Sequence, residues 1–467
     1  MIPVLTPAEM AEVDRRAREP VEVLIERAGF AVARAARRML AGGYGHRVVI
    51  VAGRGNNGAD GRAAARVLAR QGVAVVLLEA TDSGVNERLA AAAPDLVIDA
   101  AYGTGLSRPY APPSAHGVPV LAVDIPSGLA GLTGKPIGDA AVRATRTVTF
   151  AAYKPGLLLG EGPEHAGAVE VADIGLGSLV SPAASAWLVE DSDLVRSWPA
   201  RRRQAHKWQS AVQIVAGSPD MHGAPWLVAR GALRAGAGYA RVGVPGAPPG
   251  GGLPPGEQVT YRLPARDWDK DVVAQGLDRV GALVIGPGLG AGAADGPDSG
   301  SPVGRLLAVA PVPAVVDADG LRAFSSPAAA GEVINRRAAA TVLTPHEGEY
   351  ARLVGHPPAE DRIADVRAVA QQTGAVVLLK GSPTVVANPD GRVLLVSAGS
   401  ARLATAGTGD VLSGAIGAFL ARGLPALEAA AYAAHCHGRA AGLGPAEGLV
   451  ASDLPDLMSK WLSEVVG

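Results

Sequence analysis

The sequence of 467 residues has little cysteine, few aromatic side chains and no excess charge of either sign. Its single cysteine, Cys436, excludes an internal disulfide and a cysteine-based zinc site. Lys and Arg number 43 against 44 Asp and Glu, which gives no support to binding of nucleic acid or an anionic membrane. No apolar run approaches the length of a membrane span, and the N-terminus lacks the pattern of a secretory signal. We therefore expect a cytoplasmic protein that contacts neither nucleic acid nor membrane.

The apolar content comes from small and aliphatic residues. Apolar residues make up 48% of the chain and aromatic residues only 4%, with Ala, Val and Leu dominating. This composition favours parallel sheets packed against helices of small residues. A chain of this length predicts two or three domains.

The first half predicts two helical segments followed by an α/β series. Residues 6–40 alternate charged and apolar positions at helical spacing, with the Arg-rich stretch Ala31–Leu40 as a solvated face. A further helix is predicted over Ala59–Arg70. The predicted strands are Val48–Ala52, Ala74–Leu78, Leu96–Ala100, Val118–Val123 and Thr147–Ala151. Strands that alternate with helices and short loops predict a parallel, doubly wound sheet.

The α/β pattern weakens between residues 174 and 207, which predicts a boundary between domains 1–195 and 200–467. This stretch contains Ser181–Ser185, Trp198-Pro199 and the exposed run Arg201–Arg203. A second series of predicted strands follows: Gln213–Ala216, Tyr239–Val244, Gln258–Leu263, Ala282–Ile285, Ala314–Asp317, Thr341–Leu343, Ala375–Leu379 and Thr384–Ala387. Gly246–Gly256 and Gly290–Pro302 are predicted surface loops.

A glycine-rich turn follows the first predicted strand and begins a helix. Gly53-Arg-Gly55-Asn-Asn-Gly58 matches a dinucleotide fingerprint, which by itself is weak and also fits a purely structural tight turn. Asn56, Asn57 and Asp60 add three polar side chains that a turn does not need. The turn therefore predicts a ligand site.

Two more strand ends carry polar groups. Asp99 precedes Gly103-Thr-Gly105, and Asp124 and Ser127 follow the next strand. Each aspartate alone also fits a helix cap. Because ligands of open parallel sheets bind beyond the carboxyl ends of strands, the three clusters together predict one crevice.

These motifs, with Thr149-Phe-Ala-Ala-Tyr-Lys-Pro-Gly156, resemble the epimerase domain of the NAD(P)HX repair enzymes over residues 1 to about 180. The resemblance implies a Rossmann-like fold that interconverts the R and S forms of hydrated NADH and NADPH, with Asp124 as acid/base. It implies potassium binding by Asn57, Asp99 and Ser127. Ala59 stands where that family usually has glycine. The implied contacts with the hydrated dinucleotide are Asn56, Asn57, Gly58, Ala59, Asp60, Gly103, Thr104, Gly105, Leu106, Ser107, Arg108, Pro109 and Asp124.

The strongest signal of the second half is the loop Thr405-Ala-Gly-Thr-Gly-Asp410, which precedes an apolar helix over Val411–Leu420. Its backbone can form an anion hole at the start of the helix, where a transferring phosphoryl group would be stabilised. Asp410 is well placed to take a proton from a substrate hydroxyl. The plainer alternative is a helix cap flanked by flexible glycines.

Other motifs make this half similar to the ribokinase-like superfamily and to its ADP-dependent NAD(P)HX dehydratase branch, over residues 200 to 455. They are His206-Lys, Gly217-Ser, Gly223-Ala-Pro225, Leu233–Gly238, Ile285–Gly290, Asp317–Gly320, Thr344–Glu349 and Lys380-Gly. The resemblance implies that Ala224, Gly288, His346 and Asp410 contact the hydrated dinucleotide. It implies that Lys380, Gly381, Ser382, Pro383, Thr384 and Gly409 hold ADP. After His206-Lys207 the family usually has glycines, whereas this chain has Trp208–Ala211, so we expect a different loop over the site.

The sequence thus predicts an enzyme with two α/β domains, Rossmann-like and then ribokinase-like. ADP would phosphorylate the ring hydroxyl of the hydrate with Asp410 as base, and the ring nitrogen would then expel phosphate. The implied cofactors are K⁺ in the first domain and Mg²⁺ with ADP in the second. The implied partners are hydrated NADH or NADPH and ADP, in a homo-oligomer. The alternative is a ribokinase-type small-molecule kinase with a regulatory, nucleotide-binding first half.

Overall fold

The structure, a computed structural model, describes residues 1–41, 44–247, 253–290 and 298–467. They form two compact units, Ile2–Ala186 and Trp187–Gly467, with Met1 counted in the second. The division falls ahead of the interval 195–200 predicted from the sequence. The reason is that Val189 and Leu194 pack into the core of the second unit. The loops predicted at Gly246–Gly256 and Gly290–Pro302 lie largely outside the described residues.

The first unit contains a parallel sheet of six strands in the order β3-β2-β4-β5-β6-β7. Its strands are β2 (Arg47–Ala52), β3 (Ala74–Glu79), β4 (Leu96–Ala100), β5 (Val120–Val123), β6 (Arg146–Phe150) and β7 (Ala168–Ala172), and the short β1 (Ile2–Val4) precedes them. The sequence did not predict β1 or β7. β1 is only three residues long, and β7 is mostly half-buried, so neither has a distinct apolar run.

The helices of the first unit cover both faces of its sheet. They are α1 (Pro7–Arg16), α2 (Val21–Met39), α3 (Asn56–Arg70), α4 (Val85–Ala92), α5 (Gly162–Ala166) and α6 (Gly177–Ala183). The predicted pair of amphipathic helices is confirmed as α1 and α2. A Cβ at Gly29 of α2 would lie 2.4 Å from the Cβ of Ala63 in α3, so a glycine is needed for these helices to pack closely.

The sheet of the second unit has the strand order β8-β17-β16-β15-β14-β13-β12-β9-β10-β11. Its strands are β8 (Ala186–Leu188), β9 (Ala211–Val215), β10 (Tyr239–Pro245), β11 (Val259–Leu263), β12 (Ala282–Ile285), β13 (Ala314–Val316), β14 (Thr341–Leu343), β15 (Val376–Leu379), β16 (Thr384–Ala387) and β17 (Val393–Val396). In this spatial order, the neighbouring strands from β15 through β14, β13, β12, β9 and β10 to β11 pair in parallel. β16 pairs antiparallel with both β15 and β17. β8 and β17 were not predicted, although Asn388–Gly391 is a turn signal before β17.

Small residues let the central helices of the second unit pack closely. Its helices are α7 (Asp191–Ser197), α8 (Gly223–Arg234), α9 (Asp269–Ala274), α10 (Pro302–Val309), α11 (Pro327–Ile334), α12 (Glu347–Val354), α13 (Arg362–Thr373), α14 (Thr408–Ala421), α15 (Ala426–Leu443) and α16 (Leu454–Val466). A Cβ at Gly414 of α14 would lie 2.0 Å from the carbonyl oxygen of Val228 in α8. A Cβ at Gly231 of α8 would lie 2.4 Å from the carbonyl oxygen of Val411 in α14. These glycines bring α14, which begins within the Thr405–Asp410 loop, against α8.

The predicted α/β class is confirmed in both units. No helix within the described ranges is long and apolar enough to cross a membrane.

Candidate active sites

The first unit contains a cavity of about 660 Å³ beyond the carboxyl ends of β2, β4 and β5. Most of the predicted dinucleotide contacts line it, as do residues of α1 and α2. The predicted residues in its wall are Asn56, Asn57, Asp60, Gly103, Thr104, Gly105, Leu106, Ser107, Arg108 and Asp124. The three polar strand ends thus meet at one cavity, as expected from the topology of the sheet.

Three predicted contacts lie outside the lining of this cavity. A Cβ at Gly58 would lie 1.8 Å from the carbonyl oxygen of Gly53, so Gly58 is needed for the tight turn. The Ala59 N–H donates to the carbonyl of Gly55 within the first turn of α3. Pro109 packs against Gly138, whose Cβ would lie 2.8 Å from that of Pro109. These contacts hold the backbone of the glycine turn and of the 103–109 loop.

Asp124 is held by a buried lysine. It follows β5 in the left-handed region, with φ +64°, a conformation rare for residues other than glycine. Lys154 is 1% exposed, and its Nζ donates to Asp124 Oδ1 at 2.5 Å, to Thr149 Oγ1 at 2.9 Å and to the Phe150 carbonyl at 3.0 Å. Removing a lysine from water is costly unless it is paired, so the bond to Asp124 accompanies the burial of Lys154 and holds both side chains in position.

The sequence predicts no role for Lys154, although this residue lies within the motif Thr149–Gly156. A lysine within the apolar stretch Phe150–Leu159 was the signal that a buried charge partner was needed. Asp14 of α1, one turn after the buried Met10, also lines the cavity and was not predicted. Nothing in its helical pattern distinguishes it from an exposed acid.

Asp60 of α3 is a second buried carboxyl group in this cavity. Burial, with a smaller contribution from the negative charge of Asp124, raises the pKa of Asp60 to about 8. The Lys154 ammonium opposes this shift. Asp60 therefore carries a proton near neutral pH, while Asp124 is paired with an ammonium group. The cavity therefore presents Asp60 as a proton donor and Asp124 as a proton acceptor.

The three predicted potassium ligands occupy neighbouring positions. Ser127 Oγ donates to Asp99 Oδ1 at 2.6 Å, and the Ser127 N–H donates to Asp99 Oδ2 at 2.8 Å. Burial raises the pKa of Asp99 to about 6, although the Ser127 hydroxyl and N–H favour its ionised form. Both amide atoms of Asn57 are buried without a partner among the described residues. Asn57 also lies 3.7 Å from the Cβ position of Gly103. Ser127, which binds Asp99, accepts from the Tyr102 N–H, and Asn57 lies against the next residue, Gly103. A buried carboxyl group and an unpartnered amide oxygen at this segment fit a monovalent cation.

In the second unit, the loop Thr405–Asp410 leads directly into α14. Gly407 is its N-cap with φ +90°, a conformation that favours glycine. Thr408 Oγ1 donates to the carbonyls of Leu403 at 2.9 Å and Thr405 at 3.0 Å, which fixes the loop. The first N–H groups of a helix have no intrahelical partner, so this loop offers donors and the positive end of a helix dipole to an anion.

Asp410 lies in the first turn of α14. Burial, with a smaller contribution from the charge of Asp317, raises its pKa to about 7. Lys380 opposes this shift, while the carboxylates of Asp319 and Glu349 add to it. A carboxyl group that titrates near neutral pH can act as a general base without being permanently ionised.

Lys380 is bound to Asp317 beneath the glycine loop. Its Nζ lies 2.6 Å from Asp317 Oδ1, and Ser413 Oγ donates to Asp317 Oδ2 at 2.5 Å. A Cβ at Gly409 would lie only 3.3 Å from Lys380 Nζ, so the absence of a side chain there leaves the ammonium close to the loop. Burial works against the ammonium, but the charges of Asp317 and Glu349 outweigh it and raise the pKa of Lys380. Ser413 was not predicted.

The other predicted contacts of the second site lie at neighbouring strand ends. A Cβ at Gly288 would lie 2.9 Å from the Cβ of Ala224, so these two predicted residues are adjacent. His346 is the N-cap of α12, where its Nδ1 accepts from the N–H groups of Gly348 and Glu349. It is 60% exposed and faces solvent. The predicted ADP segment Gly381, Ser382, Pro383 and Thr384 joins β15 to β16.

The segment Trp208–Ala211 does not lie over this site, contrary to the expectation from the sequence. It leads into the amino end of β9, whereas Gly217, beyond the carboxyl end, donates to the Pro287 carbonyl at 2.8 Å beside Gly288. The departure from the family pattern therefore lies at the opposite end of the sheet from Asp410. Sequence alone places the motif next to a strand but does not say which end of the domain carries the ligand.

Comparison with known proteins covers both units. The family profile described as NAD(P)H-hydrate dehydratase matches residues 212–463, and that described as YjeF-related protein N-terminus matches residues 21–92 and 78–156. The bifunctional NAD(P)H-hydrate repair enzyme Nnr of Salinibacter ruber is 38% identical over all of this chain and 97% of its own length. The Mycobacterium leprae enzyme of the same name is 38% identical over 97% of this chain and 96% of its own.

A solved ribokinase-like superfamily protein of Enterococcus faecalis covers 60% of this chain and 96% of its own, with 20% identity and a TM-score of 0.50. This likeness concerns the fold, and it agrees with the predicted ribokinase-like class. Across both profiles and the full-length relatives, the chain belongs to the family of bifunctional NAD(P)H-hydrate repair enzymes.

Proposed function

We propose that this chain repairs hydrated NADH and NADPH in two steps. The first domain, residues 1–195, interconverts the R and S hydrates. The second, residues 200–467, dehydrates the S hydrate at the expense of ADP. The observation that carries the proposal is Asp410, a carboxyl group with a pKa raised to about 7 by burial, set in a glycine loop at the start of α14 and near the ammonium of Lys380.

In the dehydration, Asp410 takes the proton of the ring hydroxyl as its oxygen attacks the β-phosphorus of ADP. The bond to AMP breaks, and the phosphoryl group is transferred to the ring oxygen. The N–H groups of the Thr405–Gly409 loop and the Lys380 ammonium stabilise the added negative charge. The ring nitrogen then expels phosphate, and loss of a proton from the adjacent ring carbon restores the dihydropyridine. Hydroxide is a poor leaving group and phosphate a good one, which explains the use of ADP.

Mg²⁺ fits this site as a companion of the nucleotide. The carboxylates of Asp319 and Glu349 lie near enough to Asp410 for their charges to raise its pKa, so they are the groups that would hold the ion. Within the described ranges, no three His, Cys, Asp or Glu side chains are grouped to hold a metal without other ligands. Mg²⁺ often binds through one or two carboxylates with substrate phosphates completing its shell. When bound, it would offset the charge of the diphosphate.

In the epimerisation, the reacting carbon bears a hydroxyl group and the ring nitrogen. Asp124, with its charge balanced by Lys154 at 2.5 Å, takes the hydroxyl proton. The carbon–nitrogen bond opens to an aldehyde, and Asp60 gives its proton to the nitrogen. Rotation of the aldehyde and reversal of these transfers close the ring with the opposite configuration. The number of protons is the same before and after the reaction.

K⁺ fits the neighbouring site of Asn57, Asp99 and Ser127. The unpartnered amide of Asn57 and the buried carboxylate of Asp99 would hold it. When bound, the ion would balance the charge of Asp99 and fix the Gly103–Pro109 loop that we propose contacts the dinucleotide. Oxygen ligands of low total charge suit a large monovalent cation.

One assay tests both activities. Purified full-length protein is mixed with the R and S epimers of hydrated NADH and with ADP, and the absorbance of reduced nicotinamide is followed. We expect recovery of both epimers, and Asp410→Asn should abolish recovery while epimer exchange, measured by chromatography, continues. Full dehydration by this variant would refute the role of Asp410. If the unsubstituted protein leaves a fraction of the R epimer unconverted, epimerisation is refuted.

The kinase alternative receives no support from the full-length relatives, which carry the bifunctional name. It would be supported if nucleotide were consumed only with a vitamin alcohol or sugar. Assembly as a homo-oligomer and a cytoplasmic location stay predictions from the sequence.

A further inference from the structure

A second pocket, of about 430 Å³, lies in the second unit at the amino ends of β9 and β10. Neither the epimerase nor the dehydratase chemistry uses it. It is formed by the segment before β9, by the residue before β10 and by the end of α14. Its lining consists of Pro199, Ala200, Arg201, Arg202, Ala205, His206, Lys207, Gln209, Ser210, Gly238 and Arg422.

The charge of this pocket is entirely positive. Arg201, Arg202, Lys207 and Arg422 line it, and no described aspartate or glutamate does. The whole chain has almost equal numbers of acids and bases, so the excess of positive charge is local to this pocket. Burial lowers the pKa of Arg422, and the charge of Arg201 lowers it further. An anion would relieve this repulsion.

Two of the arginines are held by contacts with the surrounding chain, unlike arginines that extend freely into solvent. The Arg422 guanidinium lies 4.4 Å from the centre of the Trp198 ring and donates to the Pro199 carbonyl. Its Nε is buried without a partner among the described residues. Arg201 donates to the Gly236 carbonyl at 2.7 Å. Each of these bonds uses one of the five N–H donors of an arginine, so several remain for a ligand.

Lys207 lies against two aromatic rings. Its Nζ lies 5.2 Å from the centre of the Tyr239 ring and 5.8 Å from that of Trp208. Side chains ordered before binding lose less conformational entropy when a ligand arrives, so a fixed cluster binds an anion better than a mobile one.

The pocket is remote from the dehydratase loop. Asp410 lies in the first turn of α14, and Arg422 is the C-cap of the same helix. At 1.5 Å per residue, the two are about 18 Å apart along the helix axis. An anion in this pocket is therefore distinct from the phosphates of ADP bound at the Thr405–Asp410 loop.

We propose that this pocket is an anion site that binds a phosphate or pyrophosphate group through Arg201, Lys207 and Arg422. Planar guanidinium groups match phosphate oxygens in pairs, and lysine adds a point charge. The group can come from free inorganic phosphate or pyrophosphate, or from the phosphates of a nucleotide. The site goes beyond the proposed repair reaction, and its test does not depend on that activity.

The test is calorimetric titration of the full-length protein with inorganic phosphate, pyrophosphate and ADP at constant ionic strength. Pyrophosphate or phosphate should bind, and Arg422→Gln and Lys207→Gln should each weaken binding about tenfold, the usual effect of losing one charge-assisted contact. The matched control is Arg336→Gln, which removes an exposed arginine elsewhere in the same unit and should change nothing. Lys207→Gln keeps the test valid if Arg422→Gln disturbs the end of α14.

The arms of the test separate the sources of the group. Anion binding that persists in saturating ADP indicates free phosphate or pyrophosphate. If instead ADP shows a second binding event that Lys207→Gln removes, the group belongs to a nucleotide. The proposal is wrong if no anion binds, if both variants bind as the unsubstituted protein does, or if chloride at equal ionic strength replaces phosphate.

Discussion

Replacing Asp410 by Asn should stabilise the second unit while removing its activity. The substitution keeps the size and shape of the side chain and removes its titration. Burial raises the pKa of Asp410 from 3.8 to about 7, so the folded protein holds a proton here that the unfolded chain has already released. Ionising this group in the folded state therefore costs free energy, as is common where function requires a buried charge.

The size of the effect follows from that shift. The difference between 3.8 and about 7 corresponds to about 4 kcal/mol at ~1.4 kcal/mol per pH unit. The free energy of unfolding begins to fall as pH rises through 3.8, where Asp410 ionises in the unfolded chain. The loss is complete above about pH 7, where Asp410 ionises in the folded protein too. Stability is thus lost as pH rises through this window. Between pH 5 and pH 8 we expect the advantage of the Asn variant to grow by about 2–3 kcal/mol.

Tryptophan fluorescence is a selective probe for this measurement. All six tryptophans lie between Trp187 and Trp461, within the second unit, and none precedes residue 187. Urea unfolding followed by fluorescence therefore reports the unit that contains Asp410. The curves are compared for the unsubstituted chain and the variant at pH 5 and pH 8.

The control is Asp278→Asn, which removes an exposed carboxylate from the same unit and should have the same small effect at both pH values. The reasoning is wrong if the Asp410→Asn variant is no more stable than the unsubstituted chain at pH 8. It is equally wrong if the difference between the two does not change with pH, because the advantage would then come from packing rather than titration.

Three further predictions concern the two sites. Lys154→Met should lower epimerisation by about 10²–10³-fold, because Asp124 loses the ammonium group that binds it, and leave ADP-dependent dehydration of the S hydrate intact. Equal loss of both activities would indicate misfolding. Replacing K⁺ by Na⁺ should slow epimer exchange alone, and Asn57→Ala should abolish that dependence on the cation. Gly407→Ala places a Cβ 2.5 Å from Leu227 Cδ1 in a residue with φ +90°. It should weaken ADP binding and lower the free energy of unfolding by about 1–3 kcal/mol. The control Gly423→Ala, at φ +93° with open space around the added Cβ, should lower it by about 1 kcal/mol.

The fold was largely predictable because its strands are short apolar runs ending in glycine or a polar group. Ala282–Ile285, Thr341–Leu343 and Thr384–Ala387 were predicted with their observed bounds. Two of the missed strands lack that contrast: β7 has the half-buried sequence Ala168–Ala172, and β8 is three residues long. The missed β17 does have it, because Val393–Val396 is a buried apolar run after a turn signal. Pairing with the neighbouring strand, rather than local pattern, makes β7 and β8 extended.

The site was predictable to the extent that its residues lie in motifs. Asp124, Asp99 and Asp410 lie at strand ends or helix starts, where chain order alone gives their position. Lys154 and Asp14 could not be assigned in this way, because their role depends on which side chains face the same cavity. The position of Trp208–Ala211 was misjudged for the same reason, since a motif beside a strand does not reveal which end of the sheet binds the ligand.

Both sites contain a proposed catalytic aspartate and a lysine, but the lysine binds that aspartate only in the first site. In the second site the lysine binds another carboxylate, that of Asp317. In the first unit Lys154 binds Asp124 directly at 2.5 Å, so the negative charge of the base is balanced inside the cavity. In the second unit Asp317 binds Lys380 at 2.6 Å and itself accepts from Ser413, so the ammonium is shared and Asp410 keeps a raised pKa. A base that titrates near neutral pH can receive a hydroxyl proton during phosphoryl transfer and release it afterwards. Burial is the main cause of that raised pKa, and Asp317 adds to it through its charge while it holds Lys380.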